Sequence, residues 1–233
     1  MKCPKCKSTH VVKNGSVKGI HKHLCRTCGF QFTRTTPRGK PQKTKVLAVL
    51  LYLSGLSLNR IGQLCGVSAQ SALNWVRDYA AEHAERPRPE EGQTVILELD
   101  ELWHYLQKKP HKLWVWTAMD RNTSRLLDWE LGNRDSRTLA RLLNRLQRYH
   151  VTIYYTDKWD AYAELIPADM LVQNKRETNL VERNNCRLRH WFGRFKRKTI
   201  IVSKSIQMVD ATLALFATFW VNGSHEHLLS LLN

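Results

Sequence analysis

Two sets of side chains in this 233-residue sequence have types and spacings that could do chemistry. The first is thiol. Cys3-Pro4-Lys5-Cys6 and Cys25-Arg26-Thr27-Cys28 are two C-x-x-C pairs. Each pair can aim both sulfurs at one ion from a single tight turn, and four thiolates complete the closed tetrahedron that structural zinc prefers. The expectation is one structural Zn²⁺ on Cys3, Cys6, Cys25 and Cys28. His10, His21 and His23 are surplus to such a site and read as surface or DNA-facing residues. The second set is acidic: Asp100 inside an apolar alternating stretch, Asp157 directly after Ile153-Tyr154-Tyr155-Thr156, and Glu182 early in a helical stretch. Cleaving a phosphodiester with two divalent ions, Mg²⁺ or Mn²⁺, needs carboxylates that converge on hard cations about 3.5–4 Å apart. An acid inside an apolar strand is costly unless it is paired or bound to metal, which singles out Asp100. Glu98, Glu101, Asp160 and Glu177 compete for these roles. Glu98 should share the face of Asp100, Glu101 should point the opposite way, and Glu177 precedes the helix.

The elements around the acids must bring them together. Thr94 to Tyr105 alternates, with Val95, Leu97, Leu99 and Trp103 on one face and Glu98 and Asp100 on the other. Strands are also expected at Lys112 to Asp120, Arg125 to Leu131, Val151 to Thr156 and Met170 to Gln173. Helices are expected at Ser136 to Tyr149, Lys158 to Leu165 and Asn179 to about Lys196. Three strands, helix, strand, short helix, strand, helix is the order of a ribonuclease-H-like fold, a mixed sheet whose first three strands form an antiparallel meander. In it the middle of the first strand, the end of the fourth strand and the face of the last helix meet. Those are the positions of Asp100, Asp157 and Glu182.

The first 93 residues read differently. Val11 to Gly15 and His21 to Leu24 look like short strands around an Asn14-Gly15 turn, a zinc-ribbon pattern. Lys45 to Leu53 is helical and ends at Ser54-Gly55. Ser57 can cap a second helix that stops at Gly66, and Ser68 a third running to about Glu85. A short helix, a glycine turn and a longer helix make the helix-turn-helix rhythm. The first turns of the third helix offer Gln70, Ser71 and Asn74 to base edges. Cys65 reads as core. The sequence therefore predicts an α+β multidomain protein: a zinc ribbon at 1–33, a basic linker at 34–43, a helix-turn-helix domain at 44–85, a Pro-rich linker at 86–93 and a ribonuclease-H-like catalytic domain with C-terminal helices at 94–233.

Three blocks carry a family resemblance: Leu99-Asp100-Glu101-Leu102-Trp103, Tyr155-Thr156-Asp157-Lys158-Trp159 and Val181-Glu182-Arg183-Asn184-Asn185. With Gly193 to Thr199, Ser203-Lys204-Ser205 and the zinc module ahead of a helix-turn-helix, they resemble the insertion-sequence-one family of bacterial transposases over nearly the whole chain. The resemblance implies that Asp100, Asp157 and Glu182 form a DDE triad.

Charge agrees with such a partner. Lys plus Arg total 37 against 20 acids, a formal net charge of +17. Residues 1–45 hold twelve Lys or Arg and no acid, and residues 183–209 hold eight and no acid. Two concentrated basic blocks suit a phosphate backbone. Glu182, Asn185 and Arg189 fall near one helical stripe. Arg183, Arg187, Arg189, Arg194, Lys196, Arg197 and Lys198 would extend a basic, DNA-binding surface from the active site. The expected partner is double-stranded DNA, both element ends and target. The protein is expected to act as a homo-oligomer, at least a dimer on DNA, with part of Ile206 to Val221 joining subunits. Val209 to Val221 falls short of the roughly 20 residues a bilayer requires and contains Asp210. With no export signal at the N-terminus, a bacterial cytoplasmic location is expected. Two other functions use the same residues: a DNA-binding regulator with an inactive ribonuclease-H-like dimerisation domain, and a nuclease that never joins strands.

Overall fold

A computed structural model describes residues 1–33, 39–88 and 94–232. The parts of the two expected linkers at 34–38 and 89–93 lie outside the described residues. The chain forms two compact units, Met1–Gln42 and Lys43–Asn233.

The first unit is a small antiparallel sheet of β1 (Val11–Val17), β2 (Ile20–Cys25) and β3 (Gln31–Phe32), in that order. Its core is little more than Cys3, Cys25 and Phe32, packed by Val11 and Cys28. So small a core rarely sustains a fold without a metal or a disulfide. The hairpin turns at Lys18-Gly19, both with positive φ (50° and 76°), and not at Asn14-Gly15. Gly15, at φ 79°, sits within β1 where the register shifts between Lys13 and Ser16. Asn-Gly suits a bulge as well as a turn, and pairing with β2 selects between them.

The second unit begins with α1 (Gln42–Leu53), α2 (Leu58–Cys65) and α3 (Ala69–His83). The caps fall where the sequence puts them. Ser57 Oγ accepts from Arg60 N–H, Gly66 closes α2 at φ 61°, and Ser68 Oγ accepts from Ser71 N–H. The five-stranded sheet follows: β4 (Thr94–Tyr105), β5 (Lys112–Asp120), β6 (Leu126–Gly132), then α4 (Ser136–Leu146), β7 (His150–Thr156), α5 (Asp160–Leu165), β8 (Leu171–Gln173) and α6 (Asn179–Trp191). Its order is β6-β5-β4-β7-β8. β4, β5 and β6 are an antiparallel meander, and β7 and β8 run parallel to β4. This is the mixed sheet anticipated above. α7 (Ile206–Phe216), a π turn (Ala217–Val221) and α8 (Glu226–Ser230) complete the unit.

Both faces of the sheet are covered. Val95, Leu97, Leu99 and Trp116 pack against Leu139, Leu142 and Leu146 of α4 and Tyr162 of α5. On the other face Leu102, Val115 and Met119 share one core with Val181 and Leu188 of α6, with α7, and with Val49, Ile61 and Val76 of α1–α3. Hydrophobic contact therefore runs through the helical region and the sheet without a break. The surplus apolar side chains after Ile206 are taken up in this core: Leu213, Leu215, Phe216 and Phe219 are buried, and Trp220 stacks on Trp191 with ring centroids 4.9 Å apart.

α6 stops five residues sooner than expected. Phe192 is extended at φ −110° and a 3-10 turn follows at Gly193–Phe195. The break carries Phe195 and Arg194 into the interior.

Candidate active site

The thiols of the first unit already sit as a cluster. Cys3 Sγ lies 3.7 Å from Cys28 Sγ and Cys6 Sγ 3.5 Å from Cys25 Sγ. All four sulfurs fall within 4.8 Å of one another. A tetrahedral zinc with Zn–S near 2.3 Å separates its sulfurs by about 3.8 Å, so the donor set fits that ion in both chemistry and spacing. Two matching turns build it. Lys7 N–H donates to Cys3 O and Gly29 N–H to Cys25 O, each 2.9 Å, with Lys7 and Gly29 both at positive φ.

The acids of the second unit come from three distant parts of the chain to one cavity of about 750 Å³. Asp100 reaches it from mid-β4, Asp157 from just past β7, and Glu182 from the first turn of α6. Lys158, Lys175 and Arg134 line the same cavity, beside Trp159 and Thr178. Among the described residues only the cysteines form a group of three or more ligand atoms already at metal-binding spacing. The carboxylates face one space without closing on a point.

Asp100 is the most constrained of the three. Its pKa is raised to about 6, chiefly by burial, and the like charges of Asp157 and Glu182 push the same way. The backbone N–H of Glu101 and the Asn185 amide oppose that shift, Asn185 Nδ2 donating to Asp100 Oδ2 at 2.7 Å. Asn185 lies three residues after Glu182, so one helix face presents an acid and the amide that orients a second acid. Three carboxylates offer hard oxygen donors to one open space, with Lys158, Lys175 and Arg134 beside them, and that donor set fits divalent cations of the Mg²⁺ type.

The competing acids are engaged elsewhere. Glu98 is buried and accepts N–H bonds from Leu180 (2.8 Å) and Val181 (3.0 Å), with Arg121 at 3.7 Å. It thus ties the start of α6 to β4 and sets where Glu182 stands. Glu101 points away from Asp100 and bonds Arg134 and Tyr162 Oη–H. Burial lifts its pKa to about 7 against the pull of Arg134. Glu177 pairs with Arg121, and Asp160 is exposed at the start of α5. Arg134 extends from Glu101 over the rings of Trp159 (5.0 Å) and Trp114 (5.4 Å).

Of the expected basic surface, Arg183, Arg187, Lys196, Arg197 and Lys198 are exposed and Arg189 is half-buried. Arg194 is a correction. It is 6% exposed, with its guanidinium 5.0 Å from the Tyr52 ring centroid, because the chain turns inward after Phe192. On α3, Gln70 and Asn74 are exposed and hydrogen-bonded to each other (2.8 Å), and Ser71 Oγ lies 3.0 Å from the cap hydroxyl of Ser68. Sequence reasoning missed Arg134 and Lys175. Lys158 and Trp159 could have been found beside Asp157 in its block, whereas nothing near Arg134 in sequence marks it.

Fold and cavity together define a class: an α+β protein whose mixed sheet and last sheet-packed helix gather carboxylates into one basic-rimmed cavity. The chain belongs to the IS1 transposase family, whose model matches residues 94–220. It is 33% identical over 128 residues to Insertion element IS1 2 protein InsB of Escherichia coli (strain K12), covering 55% of this chain and 77% of that protein. It is 34% identical over 119 residues to Insertion element IS1 protein InsB of Shigella flexneri, covering 51% of this chain and 91% of that protein. Among solved structures it is similar to a chain of the simian T-cell lymphotropic virus intasome at TM-score 0.38 and 15% identity, covering 79% of this chain and 73% of that chain. The family match begins at β4, so the cysteine unit and α1–α3 lie outside it.

Proposed function

We propose that this protein is a DDE transposase that binds the ends of a mobile element, cleaves DNA there and joins the freed 3′-hydroxyl to target DNA. The observation that carries this reading is the meeting of Asp100, Asp157 and Glu182, from β4, β7 and α6, in one cavity of a family member. The three carboxylates would hold two Mg²⁺ or Mn²⁺ ions. Such ions, when bound, neutralise the scissile phosphate and acidify the attacking water or hydroxyl.

The chain's own residues do the rest. Asn185 fixes the Asp100 carboxylate, and Glu98 fixes the first turn of α6 and with it Glu182. Lys158, Lys175 and Arg134 receive the phosphate oxygens at the cavity rim. Arg183, Arg187, Arg189, Lys196, Arg197 and Lys198 carry the duplex backbone away from the site. The four-cysteine unit with its Zn²⁺ and the helix-turn-helix of α1–α3 recognise the ends, with Gln70, Ser71 and Asn74 at base edges. In the joining step the 3′-oxygen forms a bond to a target phosphorus as that phosphorus releases its own 3′-oxygen, so phosphodiesters are conserved. Handling two ends calls for at least a dimer on DNA, acting in the bacterial cytoplasm.

A pre-cut end duplex, incubated with plasmid target and Mg²⁺, tests this. Joined product is expected. Plasmid nicking without joining would make the protein a nuclease, and end binding with neither reaction would make it a regulator.

A further inference from the structure

A second cavity, of about 420 Å³, lies on the helical side of the second unit. The starts of α2 and α3 form one side of it, and residues 200–205 with the start of α7 form the other. Among the described residues three cations line it, Arg77, Arg194 and Lys204, and no acid does.

The two helix starts leave specific donors over. Ser57 takes the N–H of Arg60 on its side chain and of Ile61 on its carbonyl, and Ser68 does the same for Ser71 and Ala72. Leu58 and Asn59, and Ala69 and Gln70, are then the first-turn residues whose N–H groups have no intrahelical acceptor. All four line the cavity. Partial positive charge from two helix starts thus adds to three full charges in one place.

Arg194 is the independent observation. It is 6% exposed, and among the described residues it makes no ion pair and no hydrogen bond, only the ring contact with Tyr52. Burying a guanidinium without an anion is costly, and the cavity is where an anion can reach it. Apolar side chains are interleaved with these groups, among them Leu73, Ile201 and Met208. A bare inorganic anion has no use for apolar walls, whereas a sugar–phosphate strand presents both a charge and deoxyribose carbons.

We propose that this groove is a binding site for a DNA backbone phosphate, gripped jointly by the starts of α2 and α3 and by Arg77, Arg194 and Lys204. Gln70 belongs both to this groove and to the exposed face of α3, so the site would clamp the strand beside the bases that α3 reads. The inference rests on the proposed DNA partner, though not on cleavage.

The test is fluorescence anisotropy of the full chain with a random-sequence duplex, across a salt series and without divalent ions. Binding is then readable even if cleavage fails, and failure of the whole protein to bind the duplex would instead sink the DNA-binding reading. Lys204→Ser and Arg77→Ser, both at exposed positions, should each weaken binding by roughly 3- to 10-fold and lower the salt slope by about 1. Arg194→Met should do the same if its melting transition is kept. The exposed-site variants keep the test decisive if it is not. Unchanged affinity and salt slope in folded Lys204→Ser and Arg77→Ser would overturn the proposal. So would competition by inorganic phosphate well beyond that of chloride at equal ionic strength, because the groove would then be a free-anion site.

Discussion

The two candidate metal sites are built in opposite ways. The four sulfurs come from two short turns in a unit with almost no apolar core, and they already lie within 4.8 Å of one another. The three carboxylates come from β4, β7 and α6, held by a sheet with a core on each face, and they line a cavity wider than a metal's coordination shell. In the first unit the ligands are the fold. In the second the fold exists without them and holds them apart against their own repulsion. Structure should therefore depend on metal in the first unit, and activity alone in the second.

Removing zinc should have the largest effect. Chelation, or Cys25→Ser, should unfold the first unit, since structural zinc contributes on the order of 10 kcal/mol to such folds. NMR amide dispersion should collapse for β1–β3 and persist for the sheet of the second unit. If both units kept their dispersion without metal, the contrast would be lost.

The second unit should instead be sensitive where charge is buried. Asp128 is fully buried and pairs with Arg86, Arg145 (3.2 Å) and Arg148 (3.1 Å), joining the end of the helical region to β6 and α4. Asp128→Asn removes the buried anion that three guanidiniums share, leaving Arg86 with Asp210 and Arg145 with Glu130 but taking the carboxylate from Arg148, and should cost about 3 kcal/mol. Chemical denaturation would measure it, and a loss below 1 kcal/mol would contradict this role.

One buried histidine should make the second unit sensitive to acid. His104 is buried against Ser203 and Phe195, and burial, with the nearby Arg194 charge, lowers its pKa to about 4 from 6.5. Above pH 6.5 it is neutral folded or unfolded and no proton is taken up on unfolding. Between pH 6.5 and 4 the unfolded chain takes up a proton on His104 that the folded one refuses, so the contribution of His104 to stability falls, by about 3 kcal/mol in all, while the raised carboxyls of Asp100 and Glu101 act in the opposite direction. Relative to wild type, His104→Gln should gain in denaturation midpoint as pH falls through that window, and a difference that does not change with pH would exclude His104 as a source of acid sensitivity. Least of all should follow from Glu177→Gln, which removes a half-exposed pair with Arg121 worth about 1 kcal/mol or less.

The contrast also explains what could be read from sequence. The cysteines are legible because a C-x-x-C pair encodes its own geometry over four residues. That Asp100, Asp157 and Glu182 line one cavity is legible because each holds a fixed place in the strand order, and the caps Ser57, Gly66 and Ser68 are local chemistry. Position in space set by packing is not encoded locally. Asn14-Gly15 became a bulge because β2 pairs past it. The basic run after Glu182 reads as one continuous face, but the chain breaks at Phe192 to bury Phe195, and Arg194 goes with it. Arg134 reaches the cavity across rings and Glu101 that lie far from it in sequence. The helices at 44–85 read as self-contained by their own rhythm, and a core shared with α6 and α7 joins them to the sheet.

The central claim is that Asp100, Asp157 and Glu182 act as one set of cation ligands. Single Asn or Gln replacements keep their shape and remove the charge, so the direct measurement is cleavage, strand transfer and end binding by each variant beside Asp160→Asn and Glu177→Gln. Asp100→Asn, Asp157→Asn and Glu182→Gln should each lose both reactions while binding ends as tightly as wild type or slightly more tightly, and the two control variants should keep most activity. Full activity in Glu182→Gln with loss in Glu177→Gln would show the third ligand to be Glu177. Full activity in all three triad variants would contradict the account.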